Sequence, residues 1–288
     1  MKFLPPLLVA ASVASFSMPV IHAQNAAAPT APIAPIAPRP KLGSAVFDWE
    51  KMVVRTTNNG ARRDVAENPT ATLEEFECHV TTLNPGTQSH PPHKHAREEF
   101  IILKEGTIEV SINGTLHRAG PGTVFFFAAN DLHNLRNVGS TPATYLVFNL
   151  MTAATHSAPL EGATATAVPG KMVSRVFDWA KLEVTPTKTG ERRAIVASPT
   201  TTLANLSFHA TTLKAGEVPH AAHRHPDEEL VIVKEGLMEV TINGVSERAG
   251  PGSIFFYGSN DEHGMKNVGT TPATYHVVRF VTAATPKS

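Results

Sequence analysis

The chemistry of this chain is concentrated in two histidines and a glutamate that occur twice with the same spacing, at positions i, i+2 and i+6. The residues are His93, His95 and Glu99 in the first copy, and His223, His225 and Glu229 in the second. On an extended strand, side chains alternate between two faces, so residues an even number of positions apart point the same way. Imidazole nitrogen and carboxylate oxygen that converge from one face form half of a metal site. We therefore expect both copies to bind a metal ion.

A third histidine follows each copy and supplies the missing ligand. His133 and His263 each come after a glycine and an aromatic run, and an asparagine follows four residues later. This order, HxHxxxE with a glycine seven residues on and then G…HxxxN, resembles the two sequence motifs of the cupin family. The glycines and asparagines concerned are Gly106, Gly122, Asn137, Gly236, Gly252 and Asn267. The resemblance implies a shell of three histidines and one glutamate in each half.

A shell of this kind leaves the metal free for chemistry. Three neutral imidazoles and one carboxylate give a dication a net charge of about +1 and leave one or two coordination positions open. The donor types admit Mn, Fe, Ni, Co, Cu or Zn and do not separate them. We expect one divalent transition metal per cupin domain, with a small-molecule substrate beside it.

The overall composition argues against two classes of partner. The 288 residues are 42% hydrophobic and 17% charged, and 25 basic and 25 acidic residues give a formal net charge of zero. This balance gives no indication of a nucleic-acid partner or of binding to an anionic membrane surface. The single cysteine, Cys78, cannot form an internal disulfide and corresponds to Phe208 in the other half, so we expect it in the core.

The first 45 residues differ from the rest of the chain. The positive charge of Lys2, an apolar stretch and small residues near Ala23 are typical of a secretory signal, expected over residues 1–23. Prolines make this stretch a poor spanning helix, and an uncleaved anchor is the alternative to a cleaved signal. No membrane insertion is expected after removal of the signal. Residues 24–45 are rich in alanine and proline and are expected to be a linker, either a stiff tether or a disordered leader. The protein is therefore expected to be periplasmic or secreted.

The rest of the chain is an internal repeat, in which His133 corresponds to His263 at an offset of 130 residues. We expect an N-terminal cupin domain over residues 46–155, an interdomain linker over 156–175 and a C-terminal cupin domain over 176–285. The resemblance implies that such an intrachain pair takes the place of the dimer that single cupins often form. Further assembly into a homo-oligomer is left open.

Turn signals divide each repeat into short strands. The dipeptides Asn113-Gly114 and Asn243-Gly244 follow alternating polar and apolar runs and favour tight antiparallel hairpins. At two turn positions where the family often has proline and glycine, this chain has Ala128 and Asn130, and Gly258 and Asn260. The fold is expected to be all-β, with two tandem cupin (double-stranded β-helix, jelly-roll) barrels packed as a bicupin.

Differences between the halves point to the second one for catalysis. Phe127, Leu132, Leu146 and Asn149 of the first half become Tyr257, Glu262, His276 and Arg279 in the second. The predicted catalytic residues are His220, Glu229, His276 and Arg279. Of these, His220 lies three residues before the first ligand, His223. The first site would then be structural or weaker. The alternative is drift at exposed positions.

Two further pairs match between the halves without a predicted role in catalysis. Glu98 and Glu228 precede the ligand glutamates and point to the opposite strand face, so we expect solvated or interface carboxylates. His79 and His209 lie on an earlier strand and are expected to be buried, hydrogen-bonded histidines.

Three classes of function fit the sequence. The first is a metal-dependent enzyme acting on a small organic acid, a flavonoid-like phenol or a sugar derivative; the resemblance to quercetin dioxygenase-like bicupins favours a dioxygenase, with a decarboxylase or a sugar isomerase as alternatives. The second is a non-catalytic periplasmic cupin that binds a sugar or a metal. The third, a storage-like bicupin, fits least because both ligand sets are intact.

Overall fold

The computed structural model describes residues 39–157 and 168–287, and almost every regular element within them is a β-strand. The strands of the first half are β1 Ala45–Phe47, β2 Arg55–Thr57, β3 Gly60–Asn68, β4 Glu75–Leu83, β5 Glu98–Glu105, β6 Ile108–Ile112, β7 Thr115–Ala119, β8 Val124–Phe127, β9 His133–Asn137 and β10 Ala143–Met151. Those of the second half are β11 Arg175–Phe177, β12 Thr185–Thr187, β13 Gly190–Ser198, β14 Asn205–Leu213, β15 Glu228–Glu235, β16 Met238–Ile242, β17 Val245–Ala249, β18 Ile254–Tyr257, β19 His263–Asn267 and β20 Ala273–Val281. Short 3-10 helices cover Trp49–Lys51, Ala153–Ser157 and Trp179–Lys181.

The described residues form two barrels, each from a seven-stranded and a three-stranded antiparallel sheet. The first barrel has the strand orders β11-β8-β5-β10-β4-β3-β2 and β7-β6-β9. The second has the orders β1-β18-β15-β20-β14-β13-β12 and β17-β16-β19. The expected all-β bicupin of two tandem jelly-roll barrels is confirmed.

The first strand of each half belongs to the sheet of the other half. Strand β1 pairs with β18, and β11 pairs with β8. Directly after these strands, Trp49 packs on Gly252 and Trp179 packs on Gly122. A Cβ at Gly252 would come within 2.4 Å of the Trp49 ring, and one at Gly122 within 2.6 Å of the Trp179 ring, so no larger residue fits. The two barrels are interlocked, and neither seven-stranded sheet is complete without the other half.

A shared hydrophobic core lies between the barrels. Phe76 of the first half stacks on Phe256 of the second with ring centroids 5.6 Å apart, and Phe100 meets Phe208 edge-to-face at the same distance. Each buried side chain of this size contributes roughly 1.5–3 kcal/mol to folding. Cys78 lies in this core, where burial raises the pKa of its thiol well above the ordinary value, which makes it a packing residue.

Two buried glutamates fasten the barrels to each other. Glu228 accepts hydrogen bonds from Thr70 Oγ1 at 2.7 Å and Thr72 Oγ1 at 2.6 Å, across the interface. Glu98 accepts from Thr200 Oγ1 and Thr202 Oγ1, both at 2.5 Å, in the matching place on the other side. Both carboxylates are therefore interface groups rather than solvated ones.

The turn residues take the backbone conformations that the sequence predicted. Asn113 and Gly114 have φ values of 49° and 83°, as a type I′ hairpin requires. Asn130 and Asn260, which stand at a turn position where the family often has glycine, have φ values of 64° and 63°. Asparagine tolerates this left-handed conformation better than most residues, so the turn shape is kept.

Several predicted segments lie outside the described residues: the signal over 1–23, the linker up to residue 38, and residues 158–167 of the interdomain linker. At the described end of the first linker, Arg39 donates to Glu75 at 2.5 Å and the Ser44 hydroxyl donates to Asp261 at 2.6 Å. Residues 39–45 are thus part of the fold. Within the described ranges, no helix has the length and apolar character needed to cross a membrane.

Candidate metal centres

The histidines of each half are brought together by two segments that run antiparallel to each other. His93 and His133 exchange both backbone hydrogen bonds, with N···O distances of 3.1 and 2.9 Å. His223 and His263 do the same at 3.0 and 2.9 Å. These pairs fix the third histidine opposite the first. The second histidine of each motif lies two residues later, outside any strand and before a bend, and the glutamate is the second residue of β5 or β15.

The imidazole nitrogens of each half converge on one point. In both halves, one ring nitrogen from each of the three histidines lies within 4.8 Å of the other two. In the first half, His95 Nδ1 lies 2.8 Å from the Arg97 carbonyl oxygen, and His133 Nδ1 lies 2.8 Å from that of Asp131. Donation from Nδ1 to these carbonyls leaves a lone pair on each Nε2 atom, which is the tautomer that a metal ligand needs.

The second half repeats this arrangement. His225 Nδ1 lies 2.8 Å from the Asp227 carbonyl oxygen, and His263 Nδ1 lies 2.9 Å from that of Asp261. The Nε2 atoms of His133 and His263 are buried and have no hydrogen-bond partner among the described residues. Buried polar atoms are rarely left unpaired, and converging lone pairs are satisfied by a shared cation. The residues present therefore fit one divalent metal in each barrel.

A glutamate carboxylate lies beside each histidine cluster. Glu99 Oε2 is 3.6 Å from His95 Nε2, and Glu99 Oε1 is 4.0 Å from His133 Nε2. Glu229 Oε2 is 3.3 Å from His225 Nε2. Burial opposes ionisation of Glu99, but the neighbouring imidazoles of His95 and His133 lower its pKa overall. All eight predicted ligands are thus gathered in two groups of four, and their binding of a metal stays a prediction.

An aromatic ring supports the third histidine in both halves. Phe127 stacks on His133 with ring centroids 4.2 Å apart and an angle of 8° between the planes. Tyr257 stacks on His263 at 4.1 Å and 9°. These stacks hold the imidazole planes, so the direction of each Nε2 lone pair is set by packing as well as by the backbone.

A cavity lies beside each cluster, and its wall includes Glu99 of the first cluster, and His223, Glu229 and His263 of the second. The cavity of the first barrel has a volume of about 400 Å³, and its walls include Asn58, Arg62, His79, His90, Glu99 and Tyr145. The cavity of the second barrel has a volume of about 350 Å³, and its walls include Arg192, His209, His220, His223, Glu229 and Arg279. Volumes of this size are suited to small organic molecules.

The arginine in the wall of the first cavity is paired with carboxylates. Arg62 donates to Asp64 Oδ1 at 2.7 Å and to Glu77 Oε1 at 3.1 Å. Glu77 also accepts from Asn149 Nδ2 at 2.7 Å and contacts His79 Nδ1 at 2.6 Å. Although burial acts in the opposite direction, these partners lower the pKa of Glu77. The charge of Arg62 is therefore balanced within the wall.

The second cavity has a different set of charges. Arg279, which replaces Asn149, donates two hydrogen bonds to Asp227 at 2.6 and 2.8 Å and lies 3.8 Å from Glu229. Asp227, which replaces Arg97, also lies 3.3 Å from His225 Nδ1. Burial lowers the pKa of His225, but the hydrogen bonds to Asp227 and Glu229 outweigh it and raise this pKa to about 9 in the metal-free chain. This pair of charges braces two of the four predicted ligands.

The structure places Arg279 and His220 at the second cluster, as the sequence analysis proposed. Arg279 acts on the ligands through Asp227, and it also lines the cavity. The His220 ring lies 4.4 Å from the ring of His223, edge to face, and His90 lies 3.9 Å from His93 in the same manner. Both histidines line their cavities, so they are able to contact a bound molecule.

The prediction for His276 is corrected by the structure. His276 is completely buried in the interface between the barrels, where its Nε2 lies 3.1 Å from the Gly122 carbonyl oxygen and its ring meets Trp179. Side chains alternate along β20, so a residue three positions from Arg279 faces away from the cluster. His276 is therefore an interface residue and does not reach the metal site.

Sequence reasoning missed several residues of the cavity walls. Arg62 and Arg192 lie on β3 and β13, far from the motifs along the chain, and no local pattern distinguishes them from surface arginines. His79 and His209 were expected in the core, but both line the cavities. Their alternation with buried residues on β4 and β14 was the one signal that placed them on the inner face.

The comparison with known families agrees with this architecture. The sequence model of the cupin domain family matches residues 79–149 and 210–279, so each match covers the strands around one cluster. The chain belongs to the cupin family and contains two of its domains.

Individual relatives are similar over one barrel or over the whole fold. L-ectoine synthase of Vibrio campbellii is 34% identical over 96 residues, which cover 30% of this chain and 74% of that protein. L-ectoine synthase of Vibrio cholerae is 33% identical over 109 residues, 34% of this chain and 78% of that protein.

Among solved structures, a mutant of Bacillus subtilis oxalate decarboxylase superposes with a TM-score of 0.62 at 14% identity, over 85% of this chain and 79% of that chain. Protein Ylba of E. coli superposes with a TM-score of 0.64 at 12% identity, over 87% and 96%. At such identities these structures establish the fold alone.

Proposed function

We propose that the protein is an exported, metal-dependent bicupin enzyme that oxidises a small organic molecule, as a dioxygenase. The observation that supports this proposal is a cluster of three histidines and one glutamate in each barrel, next to a cavity of about 400 Å³ in the first barrel and about 350 Å³ in the second. One divalent transition metal per barrel fits the unpaired nitrogen atoms. Oxalate decarboxylase of Bacillus subtilis has Mn(II) centres, and Mn, Fe, Ni and Zn all suit this donor set.

A transition metal bound at this cluster would supply Lewis-acid or redox chemistry at its open positions. The residues of the chain itself bind the metal, orient the imidazole rings and shield the substrate from water. Backbone carbonyls hold the Nδ1 protons of His95 and His225, so that the ring planes do not turn. The strands enclose the substrate on the inner face of the barrel, where Tyr145 and Tyr275 lie in the walls. This enclosure limits the access of water to a reacting molecule.

We assign the main activity to the second barrel. Its cluster is braced by the Asp227–Arg279 pair, and the first barrel has no counterpart because Arg97 and Asn149 stand in those positions. Groups that orient metal ligands through hydrogen bonds commonly change metal affinity or activity by about 10–100-fold. The first barrel then contributes a weaker site that also supports the shared interface.

The test is the uptake of oxygen by the full-length chain, purified without metal and reloaded separately with Mn, Fe, Ni or Zn. The substrates are a panel of phenols, flavonoid-like compounds, small carboxylates including oxalate, and sugars. We expect oxygen uptake that depends on the metal and on one class of substrate. The matched control is His223→Ala with His225→Ala, which removes the second cluster and leaves the first.

Other outcomes would favour the alternatives. Release of carbon dioxide without oxygen uptake would identify a decarboxylase, and conversion of a sugar without either gas would identify an isomerase. A sugar or a metal that raises the melting temperature without any turnover would identify a binding protein. Export is proposed from the sequence of residues 1–23, and fractionation of the source cells would test it.

A further inference from the structure

We propose that the second cavity binds the carboxylate of a small organic anion through Arg192, and that the first cavity has no such anion site. This inference names the substrate class of the proposed function and rests on it. It is carried by a difference between two arginines at matching positions, Arg62 and Arg192, each in the wall of the cavity beside its cluster.

Arg192 has a free guanidinium group. It lies near the beginning of β13, opposite Thr211 on β14, and lines the same cavity as His223 and Glu229. Within residues 39–157 and 168–287, its side chain makes no hydrogen bond or ion pair and remains exposed. A guanidinium in this state offers a planar pair of donors that matches a carboxylate.

The matching Arg62 has both of its carboxylate partners in the protein. Asp64 accepts from its Nε at 2.7 Å and Glu77 from its Nη2 at 3.1 Å. The second half has Ala194 in the place of Asp64 and Ser207 in the place of Glu77. Two substitutions have therefore removed the acidic partners of one arginine and kept them for the other.

The remaining charges around the second cavity do not cancel that of Arg192. Arg279 is held by Asp227 through two hydrogen bonds at 2.6 and 2.8 Å, so this pair is balanced. Glu229 belongs to the predicted metal shell. Glu191, which replaces Ala61 next to Arg192, lies 3.5 Å from Arg193 and pairs with that residue. Lys188 replaces Asn58 in the turn before the strand. The uncompensated group in the cavity wall is thus a cation, and it shares this cavity with the cluster.

Benzoate and benzamide are suitable probes because they have nearly the same shape and differ in charge. The full-length chain would be loaded with Mn(II), and binding would be measured by calorimetry and by paramagnetic broadening of the ring protons. Two backgrounds separate the sites: His93→Ala with His95→Ala keeps only the second cluster, and His223→Ala with His225→Ala keeps only the first. We expect benzoate to bind the chain that keeps only the second cluster at least about tenfold more tightly than the chain that keeps only the first. In the chain that keeps only the second cluster, benzoate should also bind more tightly than benzamide.

Substitutions then test the arginine itself. Arg192→Gln, in the background with only the second cluster, should weaken benzoate at least about tenfold and leave benzamide and the Mn(II) content unchanged. Ala194→Asp with Ser207→Glu should give the same loss by supplying acidic partners to Arg192. In the background with only the first cluster, Asp64→Ala with Glu77→Ser should create benzoate binding. Since Arg192 is exposed, the melting temperature of Arg192→Gln should match that of the parent.

Three results would overturn the inference: equal binding of benzoate and benzamide, no effect of Arg192→Gln, or equal losses from Arg192→Gln and Arg62→Gln. Its failure is distinguishable from failure of the proposed function. Oxygen uptake with neutral phenols that is unaffected by Arg192→Gln leaves the function and removes the anion site. Arg192-dependent benzoate binding in a chain that turns over no compound of the panel leaves the anion site and removes the function.

Discussion

The two barrels agree at their clusters and at their shared interface, and they differ in the charges that surround each cavity. At the interface, Glu98 and Glu228 bind the matching threonines of the opposite half with nearly equal distances. Beside the clusters, by contrast, Arg97 becomes Asp227, and Asn149 becomes Arg279, which lines the second cavity. The shared interface and the donor set place the same demands on both halves, whereas the walls face a ligand. This difference supports the proposal that only the second cavity binds an organic anion.

The comparison is tested most strongly by removing one cluster at a time. His223→Ala with His225→Ala should lower turnover by about 100-fold or more, because loss of direct ligands exceeds the effect of groups that only orient them. Each pair of substitutions should remove one of the two predicted metal ions per chain, but His93→Ala with His95→Ala should lower turnover much less. Elemental analysis and oxygen uptake on the same preparations would check both. Equal loss of activity from the two pairs would show that the cavities are functionally alike.

A second test concerns the feature that the barrels share. Glu98→Gln and Glu228→Gln should each destabilise the metal-free chain by about 2 kcal/mol, since an amide nitrogen would face threonine donors in a buried place. The two losses should be nearly equal. Urea unfolding followed by the fluorescence of Trp49 and Trp179, which both lie at the interface, would measure them. If the two losses of stability differ by more than roughly 1 kcal/mol, the two carboxylates have similar contacts but contribute unequally to the stability of the interface.

Much of this architecture was predictable because it depends on local patterns. Alternating residues and the Asn113-Gly114 dipeptide predict hairpins, and the repeated spacing of histidines and glutamate predicts two donor sets on one face each. The odd spacing between His276 and Arg279 on one strand also carried information, and applying it would have placed His276 on the opposite face.

The rest depends on which strands meet, and no local pattern encodes that. Two similar copies offer β1 two nearly equal partners, its own β8 or the β18 of the other half, and only the packed structure shows that it takes β18. The same holds for charge. Arg62 and Arg192 look alike in sequence. The structure shows that Asp64 and Glu77, which lie on two different strands, both pair with Arg62.

A third test addresses the brace in the second barrel. Arg279→Asn, which installs the residue of the first barrel, should weaken metal binding at the second cluster about tenfold, because Asp227 and Glu229 lose their shared cation. The reciprocal change, Arg97→Asp with Asn149→Arg, should strengthen the first cluster. Metal retention during dialysis against a series of chelator concentrations would measure both. If metal retention is unchanged in both variants, Arg279 lines the cavity but does not support metal binding.

The smallest expected effect concerns His276, whose counterpart in the first barrel is Leu146. Burial, together with the nearby Lys234 and His209 and against the hydrogen bond with Gly122, lowers the pKa of His276 from 6.5 to about 4. Between these values the unfolded chain takes up a proton that the native chain does not, so native stability falls as the pH decreases. At pH 5 this loss amounts to about 2 kcal/mol.

His276→Leu should remove that loss. At pH 8 the variant should be less stable than the parent by about 1 kcal/mol, because the Gly122 carbonyl loses its partner. At pH 5 the order should reverse, with the variant more stable by about 1 kcal/mol. Urea unfolding at both pH values would give the two differences, and Leu146→His would test whether the first barrel accepts the same group. A difference between parent and variant that does not change with pH would show that the pKa of His276 is the same in the native and unfolded chains.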